Sequence, residues 1–218
     1  GAPTTNGGRG KVYVFHGSAN GVSGTPAMPA WSTMGDIVVG QFGSTAASAG
    51  DVNGDGYSDI IVGAYRYTRG QNQEGVAFIY HGSATGIITP AADTLEVNQV
   101  GAQFAYSVAG AGDVNGDGFS DVIVGAWAYD NGQNNEGAAF VFHGSATGII
   151  NTPAAMVESD QISAFMGAGV SGLGDVNGDG YSDVIAGAYQ YDNGQLDEGA
   201  AFVYHGSATG ISTIPDGQ

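Results

Sequence analysis

The chain has no cysteine, only four Lys and Arg together, and six prolines in 218 residues. Without cysteine there are no disulfides and no thiolate metal sites, so another kind of staple must hold a fold kept outside the cell. Arg9, Lys11, Arg66 and Arg69 stand against 21 acidic residues, for a formal net charge of −17. That balance excludes a nucleic-acid partner, because a phosphate backbone is gripped by clustered Lys and Arg. No run of 18 apolar residues suggests a membrane span. No stretch shows the 3.6-residue periodicity of an amphipathic helix. What the chain does have is apolar residues at 42% and 40 glycines, enough to build a core but too often interrupted for long helices. An all-β repeat protein is the expectation.

The repeat is written into the sequence three times, 62 residues apart. Its clearest part is a nine-residue loop: Asp51-Val-Asn-Gly-Asp-Gly-Tyr-Ser-Asp59, Asp113-Val-Asn-Gly-Asp-Gly-Phe-Ser-Asp121 and Asp175-Val-Asn-Gly-Asp-Gly-Tyr-Ser-Asp183. Oxygen-bearing side chains at positions 1, 3, 5 and 9, with a carbonyl at position 7, suit Ca²⁺, which takes six to eight oxygens at roughly 2.3–2.6 Å. Three Ca²⁺ sites are therefore expected. The ligands would be Asp51, Asn53, Asp55, Asp59 and the carbonyl of Tyr57; Asp113, Asn115, Asp117, Asp121 and the carbonyl of Phe119; and Asp175, Asn177, Asp179, Asp183 and the carbonyl of Tyr181. Without a counter-ion, carboxylates held this close repel one another. Glycines at positions 4 and 6 allow the sharp turn that such a loop needs.

An EF-hand would place Glu at position 12 and continue as a helix. Here position 12 is Val62, Val124 and Ala186, within runs such as Asp59-Ile-Ile-Val-Gly-Ala-Tyr65 that read as buried strands. Downstream of each loop a polar turn leads to another strand ending in His-Gly-Ser, at His81, His143 and His205, and a further copy ends at His16. The irregular segment around Asp93 to Gln99 reads as a fourth strand. Four antiparallel strands per unit describe a β-propeller blade better than a solenoid coil.

Phe42-Gly43, the acidic loop and then Gly63-Ala64 together resemble the FG-GAP repeat of the integrin α-subunit propeller and its bacterial relatives. The resemblance spans essentially the whole chain. It departs from the family pattern at Met166 in place of Phe, at Ala105 in place of Gly, and at Tyr65, Trp127 and Tyr189 where Pro would stand. It implies one repeat domain over 1–218: a partial repeat at 1–41, full repeats at 42–103 and 104–165, and a truncated repeat at 166–218. A seven-bladed ring, which the family's propellers resemble, would need about twice this chain, so about three and a half blades form an incomplete ring. The terminal units duplicate one strand type, which leaves two readings open: a window of a longer propeller chain, or a homo-oligomer closed by assembly. Gly1 at the start points to a processed product or a fragment.

The recurrent histidines are expected to hydrogen-bond their turns, and Glu74, Glu136 and Glu198 to accept backbone N–H groups. Three equivalent copies argue against a unique active site, and no catalytic residue is assigned. The paired aromatics Tyr65/Tyr67, Trp127/Tyr129 and Tyr189/Tyr191 are candidate ligand-binding residues, each pair expected on one face by strand alternation. The function expected is a calcium-stabilised, non-catalytic extracellular adhesion module for a protein or glycan ligand. A multivalent calcium-dependent lectin and an architectural or assembly segment are the alternatives.

Overall fold

The structure, a computed structural model, describes residues 1–2 and 5–217, the side chains of residues 5 and 6 excepted. Residues 3, 4 and 218, which the sequence reading includes in the first and last units, lie outside the described residues. After a single helical turn, α1 (Thr5–Gly8), everything is strand and turn. β1 (Lys11–Val14) pairs antiparallel with β4 (Trp31–Met34), and a small hairpin of β2 (Gly17–Ser18) and β3 (Gly21–Val22) lies between them in sequence. The first blade is an antiparallel sheet of β5 (Thr45–Gly50), β6 (Asp59–Ala64), β7 (Val76–Tyr80) and β8 (Asp93–Leu95), in that order. The second repeats it with β9 (Phe104–Gly112), β10 (Asp121–Ala126), β11 (Ala138–Phe142) and β12 (Ala155–Glu158). The third has β13 (Met166–Gly174), β14 (Asp183–Ala188) and β15 (Ala200–Tyr204), with Gly217 bridging Val203 on its outer edge. The expected blades are present, and the stack does not close into a ring. The fourth strand of the first blade ends at Leu95, short of the expected Gln99.

The central strands are apolar throughout because both faces are covered. All six residues of β10 are buried, one face against the blade before and one against the blade after. Such a strand reads as a continuous hydrophobic run instead of alternating. Three apolar clusters form the core, and each lies between blades. One joins the β1–β4 pair to the first blade, the next joins the first and second blades, and the last joins the second and third. β5, β9 and β13, the first strands of successive blades, pack on one another. That close approach explains Gly125 in the Gly-Ala end of β10: a Cβ there would lie 1.9 Å from the carbonyl oxygen of Gly167 in the next blade.

Candidate metal centre

Each acidic loop links the first strand of a blade to the second and is wound around its own carboxylates. In the first, the Asp55 N–H donates to Asp51 Oδ1 at 3.1 Å and the Gly56 N–H to Asp51 Oδ2 at 2.8 Å. Asn53 Oδ1 accepts from the Asp55 N–H at 3.0 Å, and Asp55 Oδ1 from the Tyr57 N–H at 2.9 Å. The second and third loops repeat the winding at Asp113 and Asp117 and at Asp175 and Asp179. Gly56, Gly118 and Gly180 take φ of +89°, +93° and +95°, which the sharp turn requires and other residues resist.

The position-9 aspartates do a second job. Asp59 is fully buried; its Oδ2 accepts the Val52 N–H at 2.8 Å and its Oδ1 the Gly82 N–H at 2.7 Å. Asp121 ties Val114 to Gly144, and Asp183 ties Val176 to Gly206, in the same way. Each therefore fastens the start of its loop to the Gly of the His-Gly-Ser turn. Burial raises the Asp59 carboxyl above its ordinary value against these two N–H donations, and pushes Asp121 up to about 7. Asp175, on the exposed loop, is held low, first by the Gly180 N–H.

The donor set is all oxygen, as a hard cation requires. Most of these carboxylate oxygens accept one or two backbone N–H groups, while Oδ2 of Asp55, Asp117 and Asp179 accepts the side-chain amide of the loop Asn, and no Lys, Arg or His forms an ion pair with a loop carboxylate among the described residues. The same residues contain no group of three or more His, Asp or Glu side chains gathered as one metal cage. The loop winding accounts for this, since the carboxylates are directed at backbone N–H groups. In donor chemistry the loops fit calcium, and Asn53, Asn115, Asn177 and the position-7 carbonyls belong to the same set.

Two neighbouring serines complete each of the first two loops. Ser120, from the following blade, donates its N–H to the Asp51 carbonyl at 2.9 Å and accepts the Asp51 N–H on its Oγ at 3.2 Å. The Ser145 N–H reaches the Val52 carbonyl at 3.1 Å, and Ser182 and Ser207 clasp the second loop alike. The aromatic before Ser120 and before Ser182 sits against the preceding loop: a Cβ on Gly54 would meet the Phe119 ring at 2.8 Å, and one on Gly116 the Tyr181 ring at 2.7 Å. Their signal in the sequence is the repeated Ser of Tyr/Phe-Ser-Asp and of His-Gly-Ser. Among the described residues the third loop has no such clasp, and Val176 is 56% exposed where Val52 and Val114 are fully buried.

One histidine, His143, differs from the expectation. In the second repeat the His143 ring contacts the Asn115 amide through Nδ1 at 3.2 Å, a loop residue and not its own turn; the turn is held instead by Ser145 Oγ donating to the Gly148 carbonyl. Glu74 does what was expected, accepting the N–H groups of Arg69, Gly70 and Gln71 on Oε1, and Glu136 accepts those of Asn131 and Gln133.

The paired aromatics do not share a face. The strand stops at Ala64, Ala126 and Ala188, and a turn follows, so two-residue alternation no longer applies. The second member of each pair packs inside its blade: Tyr67 edge-on to Phe78, Tyr129 to Phe140, and Tyr191 to Phe202. The first member joins a row across the blades. Tyr65, Tyr106, Trp127, Phe165 and Tyr189 follow one another at ring separations of 5.3, 5.1, 5.1 and 5.3 Å. Tyr106 and Phe165, at the starts of the first strands, were missed because only the ends of the second strands were read for this surface.

Family comparison locates the same three units. The FG-GAP repeat profile matches at residues 42–80, 104–142 and 166–204, from the Phe or Met opening the first strand to the end of the third. The chain belongs to the FG-GAP repeat family. Curated relatives agree. Integrin alpha-5 of Xenopus laevis is 29% identical over 211 residues, 93% of this chain and 20% of that protein. Integrin alpha-PS2 of Drosophila melanogaster is 33% identical over 71% of the chain and 12% of its own length. Integrin alpha pat-2 of Caenorhabditis briggsae is 41% identical over 126 residues, 56% of the chain and 10% of the relative. The FG-GAP chain thus spans a fifth or less of these relatives.

Proposed function

We propose that this FG-GAP chain is a calcium-stabilised, non-catalytic adhesion or ligand-binding module that works outside the cell, where calcium is abundant. The observation that carries the reading is the triplicate acidic loop, whose carboxylates have no ion-pair partner among the described residues at the joint between two strands and a turn. Ca²⁺ would be held by the position 1, 3, 5 and 9 side chains and the position-7 carbonyl of each loop. Bound there, it supplies the positive charge the protein lacks; three ions would offset six of the 17 net negative charges. Similarity to integrin alpha subunits supports a protein ligand. No helix among the described residues is long and apolar enough to cross a membrane.

The test is thermal unfolding of chelator-treated protein titrated with Ca²⁺. A ligand at 100 times its Kd stabilises by about 2.7 kcal/mol per site, so the melting temperature rises by several degrees. No shift at millimolar Ca²⁺ refutes the reading.

A lectin reading draws on the aromatic row, whose Tyr106 and Tyr189 are 39% and 51% exposed. Trp127 is a poor probe of it, because its ring lies between Tyr106 and Phe165 and its Nε1–H donates to Gln103 Oε1 at 3.1 Å. Tyr189→Ala is the better one: a lectin loses glycan-array signal with under about 1 kcal/mol of stability. Unchanged sugar binding, or none in the parent protein, removes this reading.

A further inference from the structure

The grooves between blades can be compared position by position, because the register is shared. Thr33 pairs with Val12 as Leu95 pairs with Ala77 and Val157 with Ala139. Leu95 is fully buried in one cluster with Phe104, Phe140 and Phe142, and Val157 is buried in the next. At the first groove the equivalent residue is the short, polar Thr33. A cleft of 660 Å³ lies there between the β1–β4 pair and the first blade, lined by Thr33, Asp36, Phe42, Phe78, Tyr80 and Thr94 among others.

Polar groups border the cleft beside its aromatic rings. Tyr80 stands where the second blade has Phe142 and the third Tyr204, and it lines the cleft together with Thr33. The Tyr67 hydroxyl donates to Asp36 Oδ1 at 2.7 Å. Asp36 has no Lys, Arg or His ion-pair partner among the described residues. Aromatic rings, the Tyr80 phenol and the exposed Asp36 carboxylate, which has no ion-pair partner among the described residues, therefore border a space of the size that holds small ligands, roughly 300–1,000 Å³.

We propose that this cleft binds a small organic cation, an ammonium group carried on an aromatic or apolar body. The ammonium sits at Asp36 and the body lies against Phe42, Phe78 and Tyr80. Aromatic faces attract cations as well as covering apolar surface. The strongly negative protein concentrates cations near its surface and repels anions. The inference concerns a site separate from the calcium loops and stands without them.

The test is NMR titration of the full chain in excess calcium with three probes of one shape: benzylammonium, benzyl alcohol and benzoate. Benzylammonium is expected to bind at least tenfold more tightly than benzyl alcohol, with shifts centred on Thr33, Phe42 and Thr94, and benzoate not to bind. Asp36→Asn keeps an acceptor for Tyr67 and should erase the tenfold preference. The double change Thr33→Leu with Tyr80→Phe transplants the Leu95/Phe142 pair; it should fill the cleft and abolish binding of both probes with an unchanged or higher melting temperature. Equal affinity for charged and neutral probes, shifts elsewhere, or a preference that survives Asp36→Asn overturns the proposal. If the double variant fails to fold, the Asp36→Asn comparison and the shift map still decide it.

Discussion

At the residue scale the position-9 aspartate has the most unusual surroundings. Asp121 is fully buried, and burial outweighs two backbone N–H donations in moving its carboxyl from 3.8 up to about 7. A group whose folded value is raised favours the neutral form in the fold. Its contribution is full below about pH 4 and is lost as pH rises through about 7. Metal-free protein is therefore expected to become less stable from pH 4 to 7, with a shallower slope in Asp121→Asn. Excess calcium should flatten or reverse the trend, since a cation favours the ionised form. Chemical denaturation with chelator and with calcium at each pH reads both arms, and a rising chelator curve would contradict the assignment. Which aspartates belong to the loop was legible from spacing alone. That position 9 also fastens a turn 23 residues away was not, because its partner is a backbone N–H with no side-chain signature.

At the scale of the element, the loop and the following blade form one clasp, and the three copies provide an internal control. Val114 is fully buried beneath the Tyr181–Ser182 and Ser207 clasp, whereas Val176 in the third copy is 56% exposed. Val114→Asp is expected to cost more than about 3 kcal/mol, the penalty of an unpaired buried charge, and Val176→Asp less than about 0.5 kcal/mol. Denaturant midpoints of the two variants check this, and similar losses would mean that the third loop is covered in solution. The sequences of the two loops are the same at this position, so the difference is one of neighbours. The aromatic pairs teach the same lesson: strand alternation places side chains only while the strand lasts, and Tyr65 and Tyr67 lie beyond its end.

For the whole molecule, the core lies between blades, so the cohesion of the stack is a sum of neighbour contacts. Phe104 is fully buried where the first and second blades meet, edge-on to Phe140 and Phe142. Phe104→Ala should cost about 3–5 kcal/mol. Because it removes contact across one joint, urea unfolding should also become less cooperative, with a lower m-value. A loss of stability with unchanged cooperativity would show the stack unfolding as a single unit.

The sequence by itself determined the all-β class, the 62-residue unit, its four strands and the acidic loops, because these follow from local rules: alternation, turn chemistry and the spacing of oxygen donors. Only the tertiary structure decided what covers each copy. Identical side chains in the three units have different fates at Val52, Val114 and Val176, and the shared register at Thr33, Leu95 and Val157 leaves one groove open where the others are filled. The physical reason is that burial, and with it the charge state of Asp121 and the opening at Asp36, is set by the adjoining blade and not by the residues of the unit itself.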